Sequence, residues 1–118
     1  FQLGDGAIYY QSESFGHVGV KSDDLFSNQT NALGYSKKWD DWSYKEIDLT
    51  DPNHGIILMT DGISEDLLNE RRFTSALIQK ATLHSVRRLK KYIQHELIHW
   101  PTPQHSDDKS IGIVFWKK

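Results

Sequence analysis

The sequence contains no cysteine, which excludes disulfides, thiolate zinc sites and a cysteine nucleophile. It holds no apolar run near the roughly 20 residues that a membrane-crossing helix needs, so a helical membrane span is excluded. A dominant charge is missing as well: 14 Lys and Arg stand against 16 Asp and Glu, a formal net charge of −2. That balance argues against nucleic acid as the main partner, because phosphate backbones select a concentrated basic surface. The lack of disulfides suits a reducing compartment, and a cytoplasmic protein is expected. What is present is enough for a core, with 37% hydrophobic and 12% aromatic residues among 118, too apolar for a disordered chain. Phe1-Gln2-Leu3 is neither an initiator Met nor a basic, apolar leader. The chain opens inside what reads as a strand, so a fragment of a longer protein is expected, whereas Ile111 to Lys118 reads as a natural terminus.

Residues 1–11 read as strand, bent by Gly4-Asp5-Gly6 and continued by the β-prone Ala7-Ile8-Tyr9-Tyr10. Phe15 to Val20 is a second short strand. The polar stretch from Lys21 to Trp42 reads as a long loop. Ser43 to Leu49 alternates apolar and polar residues, which predicts a half-exposed strand, and Thr50-Asp51-Pro52-Asn53 is turn chemistry. Gly55 to Thr60 is a continuous apolar run, the mark of a strand buried on both faces. The spacing then becomes helical. Phe73, Leu77 and Ala81 lie four apart, and Leu83, Val86, Leu89, Ile93 and Leu97 continue one face to about Trp100. Pro101 and Pro103 end it, and Ile111 to Trp116 closes as a strand. Strands, a helical segment and a last strand predict an α+β layer fold.

Three acidic positions fall at strand ends: Asp5 in Gly4-Asp5-Gly6, Asp61 after the buried run, and Asp107-Asp108 before the last strand. A carboxylate at the end of a buried strand needs a cation or hydrogen-bond donors to balance it. If the strands before Asp61 and after Asp107 are sheet neighbours, these two carboxylates converge, and oxygen donors select Mg²⁺ or Mn²⁺ over zinc. The plainer alternative is that Asp61 or Ser64 caps a helix, Asp61-Gly62 is a turn, and Asp107-Asp108 is solvated loop.

Four stretches, in order, resemble the C-terminal half of the metal-dependent serine/threonine protein phosphatases of type 2C. Leu3-Gly4-Asp5-Gly6-Ala7 is similar to the family's Gly-Asp-Ser corner, with Gly6 in the Ser place. Asn31-Ala32-Leu33-Gly34 resembles the Ala-Leu-Gly after the flap, which here would be a short one at about residues 21–43. Ile57 to Ile63 is similar to the strand ending in Ser-Asp-Gly, and Asp107-Asp108-Lys109-Ser110 to Asp-Asn-x-Thr/Ser, with Asp108 in the Asn place. The resemblance implies part of a β-sandwich flanked by helices, incomplete in this chain. It implies that Asp61 and Asp107 are ligands of one ion of a dinuclear Mn²⁺ or Mg²⁺ centre. Asp5 and Glu65 match positions linked in some members to a third, weaker ion, with Asp61 shared and Glu65 standing where Asp is usual. The activity implied is hydrolysis of phosphoserine and phosphothreonine in protein substrates by activated water. The Asp-Gly-x-Gly-Gly element that bridges both ions in the family is absent, so this chain alone is expected to be inactive. It is expected to associate with its missing N-terminal half, or with a second copy by strand exchange. A regulatory or binding module on the same scaffold, without catalysis, is the alternative from another class.

A rival pattern lies in the helical segment. His95-Glu96-Leu97-Ile98-His99 matches the HExxH of zinc peptidases, and His105 has the spacing of a third ligand. Against it, Thr102 occupies the place of the turn-forming Gly, and the only methionine, Met59, lies upstream. Facing counts further: at about 100° per residue, His95 and His99 point away from the stripe of Leu89, Ile93 and Leu97. They are expected on a solvated face beside Arg88 and Tyr92. The pairs Arg71-Arg72, Arg87-Arg88 and Lys90-Lys91 are read as helix solvation, and Trp39, Trp42 and Trp100 as packing at the core's edge.

Overall fold

The computed structural model describes residues 6–19, 43–100 and 108–116. Four strands, β1 (Ala7–Gln11), β2 (Phe15–Val18), β3 (Gly55–Met59) and β4 (Ile111–Phe115), form one sheet in the order β2-β1-β3-β4. Every neighbouring pair is antiparallel. Three helices, α1 (Asp61–Ser64), α2 (Glu70–Leu83) and α3 (Val86–Ile98), lie between β3 and β4 in the chain. The described part is thus α+β, as expected. The expected flap at about 21–43 and the Ala-Leu-Gly stretch lie outside the described residues, apart from Ser43.

Pleating divides the sheet's side chains into two sets. One face carries Tyr9, Ile57 and Met59, which form the core with Ile63 of α1 and Leu77 and Ile78 of α2. Ala7, Phe15, Phe73, Ile111 and Ile113 extend it, and Tyr9 stacks on Phe15 with ring centres 5.9 Å apart. The other face carries Ile8, Ile56, Leu58 and Val114, with register pairs Ile8–Leu58 and Ile56–Val114. Here Leu58 is 42% and Val114 52% exposed. This corrects the expectation that Gly55 to Thr60 is buried on both faces: all three helices engage the core on one side only. At the β2 end of the open face Tyr10 is buried, its ring lying across Gly16, where any Cβ would collide with it.

Two further expectations are corrected. Residues 44–50 are not a strand; only Ser43 makes an isolated bridge. One backbone amide there is taken by a local side chain, Thr50 donating to His54 Nδ1 at 3.3 Å, while Lys45 donates across to the Tyr10 hydroxyl with its ammonium 4.7 Å from the ring centre. The expected turn after Thr50 does form, closed by the His54 amide on the Asp51 carbonyl at 2.9 Å. The helical segment is also not one stripe from Phe73 to Trp100. It breaks at His84-Ser85, where the Ser85 side chain accepts the Arg88 amide at 3.3 Å and starts α3 as an N-cap. The break turns Leu83 and Val86 outward, to 70% and 51% exposure. Asn69 caps α2 in the same way, accepting the Arg72 amide at 3.0 Å.

Candidate functional site

Ala7, Met59 and Ile111 lie side by side across β1, β3 and β4. In this antiparallel arrangement the chain enters β1, leaves β3 and enters β4 at a single edge of the sheet. Gly6 and Thr60, next to Asp5 and Asp61, and Ser110, three residues past Asp107, are therefore brought to that edge. The approach is close, since a Cβ on Gly6 would stand 3.0 Å from the Met59 carbonyl oxygen. Asp5 and Asp107 themselves lie outside the described residues.

Thr60 fixes the junction. Its amide donates to the Ser110 carbonyl at 3.1 Å, and its hydroxyl accepts the Ser110 amide at 3.0 Å. The same hydroxyl donates to the Asp108 carbonyl at 3.0 Å. The backbone just past Asp107 is thereby tied to the residue just before Asp61. Thr60 also occupies the N-cap of α1, yet its side chain makes no bond into that helix, and the N-cap of α2 is Asn69. Neither Asp61 nor Ser64 serves as a helix cap.

Asp61 begins α1, and the sequence behind it explains its placement. Gly62 and Ile63 are both buried, Ile63 completely, so the turn is anchored in the core while Asp61 stays half exposed at the edge. Glu65 closes α1, its amide donating to the Asp61 carbonyl at 3.1 Å. One helical turn apart, Asp61 and Glu65 share a face. Their carboxylate oxygens are donors of the kind that hard divalent cations take. Among the described residues no group of three or more His, Asp or Glu side chains is placed to hold a metal ion.

The family model for protein phosphatase 2C matches residues 1–100. The chain belongs to that family. The match spans the Asp5 corner, the Asp61 turn and both long helices, and it stops short of Asp107. No curated protein and no solved structure matches the chain.

Within this phosphatase 2C chain, one contact beside the turn was not foreseen. The Trp100 indole donates to Asp66 Oδ2 at 3.0 Å, tying the segment after α1 to the end of α3. Trp100 also meets Phe73 edge-on at 6.4 Å and packs on the core, in keeping with its expected place at the core's edge. The only sequence signal for Asp66 was that a half-buried indole needs an acceptor. His95 and His99 are both exposed, as their facing predicted. Pro101, Thr102, Pro103 and His105 lie outside the described residues.

Proposed function

We propose that this chain is part of a metal-dependent protein serine/threonine phosphatase. In this reading Asp61 and Asp107 hold one divalent cation, and Asp5 and Glu65, with Asp61, hold a weaker one. The observation that carries it is the meeting of Gly6, Thr60 and Ser110 at one sheet edge, each next to or within three residues of one of these carboxylates. When bound, Mn²⁺ or Mg²⁺ would lower the pKa of water and offset charge on the phosphoryl oxygens of a phosphorylated protein. The chain's own contribution is placement. The short Asp61 side chain stands on a turn anchored by Ile63, and Thr60 holds the backbone at Asp108 and Ser110 beside it.

The open sheet face supports the finer architecture. Ile8, Ile56, Leu58 and Val114 form an apolar stripe that a second sheet would cover, giving a β-sandwich. We assign that cover to the rest of the phosphatase domain or to a second copy of the chain.

The test uses the full-length protein and p-nitrophenyl phosphate. Hydrolysis dependent on Mn²⁺ or Mg²⁺ is expected, with loss by a factor of about 100 or more in Asp61→Asn and in Asp107→Asn. Activity that survives exhaustive chelation, or full activity in either variant, overturns the reading. Tight Mn²⁺ binding without turnover would assign the chain to a non-catalytic module instead.

A further inference from the structure

We propose that His95 and His99 form a two-imidazole site for a borderline transition-metal ion, Zn²⁺ or Cu²⁺, on the outer face of the last turn of α3. The spacing i, i+4 puts both side chains on one face, and both are exposed. Their ring centres are 4.3 Å apart and the planes differ by 30°, so the imidazoles already stand together. Having both rings side by side before an ion arrives lowers the entropic cost of chelation.

The His99 ring is also oriented. Its Nδ1 lies 2.8 Å from the His95 carbonyl oxygen. A carbonyl only accepts, so Nδ1 carries the proton and the neutral ring presents its lone pair at Nε2. Histidines that bind metals are held in this way, with the remaining ring N–H donated to a carbonyl or carboxylate. Imidazole donors suit Zn²⁺ and Cu²⁺, whereas the carboxylates at the sheet edge suit Mg²⁺ and Mn²⁺. The two places therefore differ in chemistry as well as in position.

Only binding is assigned to this pair. Glu96, which would be the base of a peptidase, acts on Tyr92, whose hydroxyl pKa is raised first by burial and then by this carboxylate. Among the described residues no third metal-ligating side chain joins the pair. The turn that carries the imidazoles on its outer side presents Leu97 to the core and runs on to Trp100. A metal across His95 and His99 would staple that turn.

The test is a calorimetric Zn²⁺ titration of the full-length protein in excess Mg²⁺, repeated in Asp61→Asn to remove uptake at the sheet edge. One Zn²⁺ per chain should persist in Asp61→Asn, and affinity should fall about tenfold or more in His95→Gln and in His99→Gln. Substoichiometric Cu²⁺ should broaden the imidazole NMR signals of both residues. Circular dichroism should show α3 intact in both variants. Equal zinc affinity in His95→Gln/His99→Gln, or imidazole signals untouched by Cu²⁺, overturns the proposal.

Discussion

Thr60 and Ser110 are joined through both backbone and side chain: the Thr60 amide donates to the Ser110 carbonyl at 3.1 Å, and the Ser110 amide donates to the Thr60 hydroxyl at 3.0 Å. The ladder between β3 and β4 ends at Met59–Ile111, and the threonine side chain carries the pairing one step further. Thr60, which carries no carboxylate itself, is therefore the residue that joins two of the acidic positions of the chain. It does so through a side chain that a strand would otherwise spend on packing.

Replacing Thr60 with Val should remove the bonds of the hydroxyl to Asp108 and Ser110 while keeping shape. Solvent reaches this edge, so the expected loss is about 1 kcal/mol in urea unfolding. Thr60→Ser, the residue usual at this place in the resembled motif, should restore most of it. Under the phosphatase reading, Thr60→Val should also lower activity more than its stability loss explains, because Asp61 and Asp107 lose their common tether. Equal stability of Thr60→Val and the parent would show the bonds to be replaced by water without cost.

Much of this edge was legible because turn chemistry and strand ends are local properties. Asp61-Gly62 following an apolar run marks the end of β3 whatever that strand packs against. Asp66 was not legible, since its partner Trp100 lies 34 positions away and pairing over such a separation leaves no local pattern. Residues 44–50 show the opposite failure. Their alternation is strand-like, but the backbone takes no ladder partner there among the described residues, and the Thr50 amide turns to His54 instead. The helical segment misled for a third reason. Apolar spacing ran across His84-Ser85, yet a serine just before the periodic apolar residues Val86 and Leu89 is itself an N-cap signal, and the cap prevailed over the stripe.

Thr74 lies on α2 with no exposed surface, and among the described residues its hydroxyl has no hydrogen-bond partner. An unmet hydroxyl in a core is costly, while the same shape without it is not. Thr74→Val should therefore stabilise the protein by about 1 kcal/mol, read as a raised urea midpoint at unchanged slope. A lowered midpoint would mean that the hydroxyl is satisfied in solution.

The Trp100–Asp66 bond should be measurable by itself. Trp100→Phe keeps an aromatic ring against Phe73 but loses the donor, and about 1–2 kcal/mol of stability should go with it. Asp66→Asn keeps an acceptor and should cost less. In a double-mutant cycle of Trp100→Phe with Asp66→Ala, a coupling of about 1 kcal/mol is expected. Additive effects would show that the two groups do not interact in solution.

Tyr9 predicts how the fold answers to alkali. Its phenol is raised above the ordinary value of 10.0, first by burial in the core and then by the nearby Glu70 carboxylate. The unfolded chain gives up this proton near pH 10, while the folded chain holds it to higher pH. Between those two points the folded state binds more protons, so stability falls as pH rises. Below pH 10 the contribution is fully present, and it is lost as pH climbs through the folded value. Tyr92 is raised for the same kind of reason, but it is the more exposed of the two and should contribute less. Urea unfolding at a series of pH values should show a decline above pH 10 that is shallower in Tyr9→Phe than in the parent, with parallel curves below it. Identical alkaline slopes in the two proteins would place the Tyr9 hydroxyl in contact with water, against its 6% exposure.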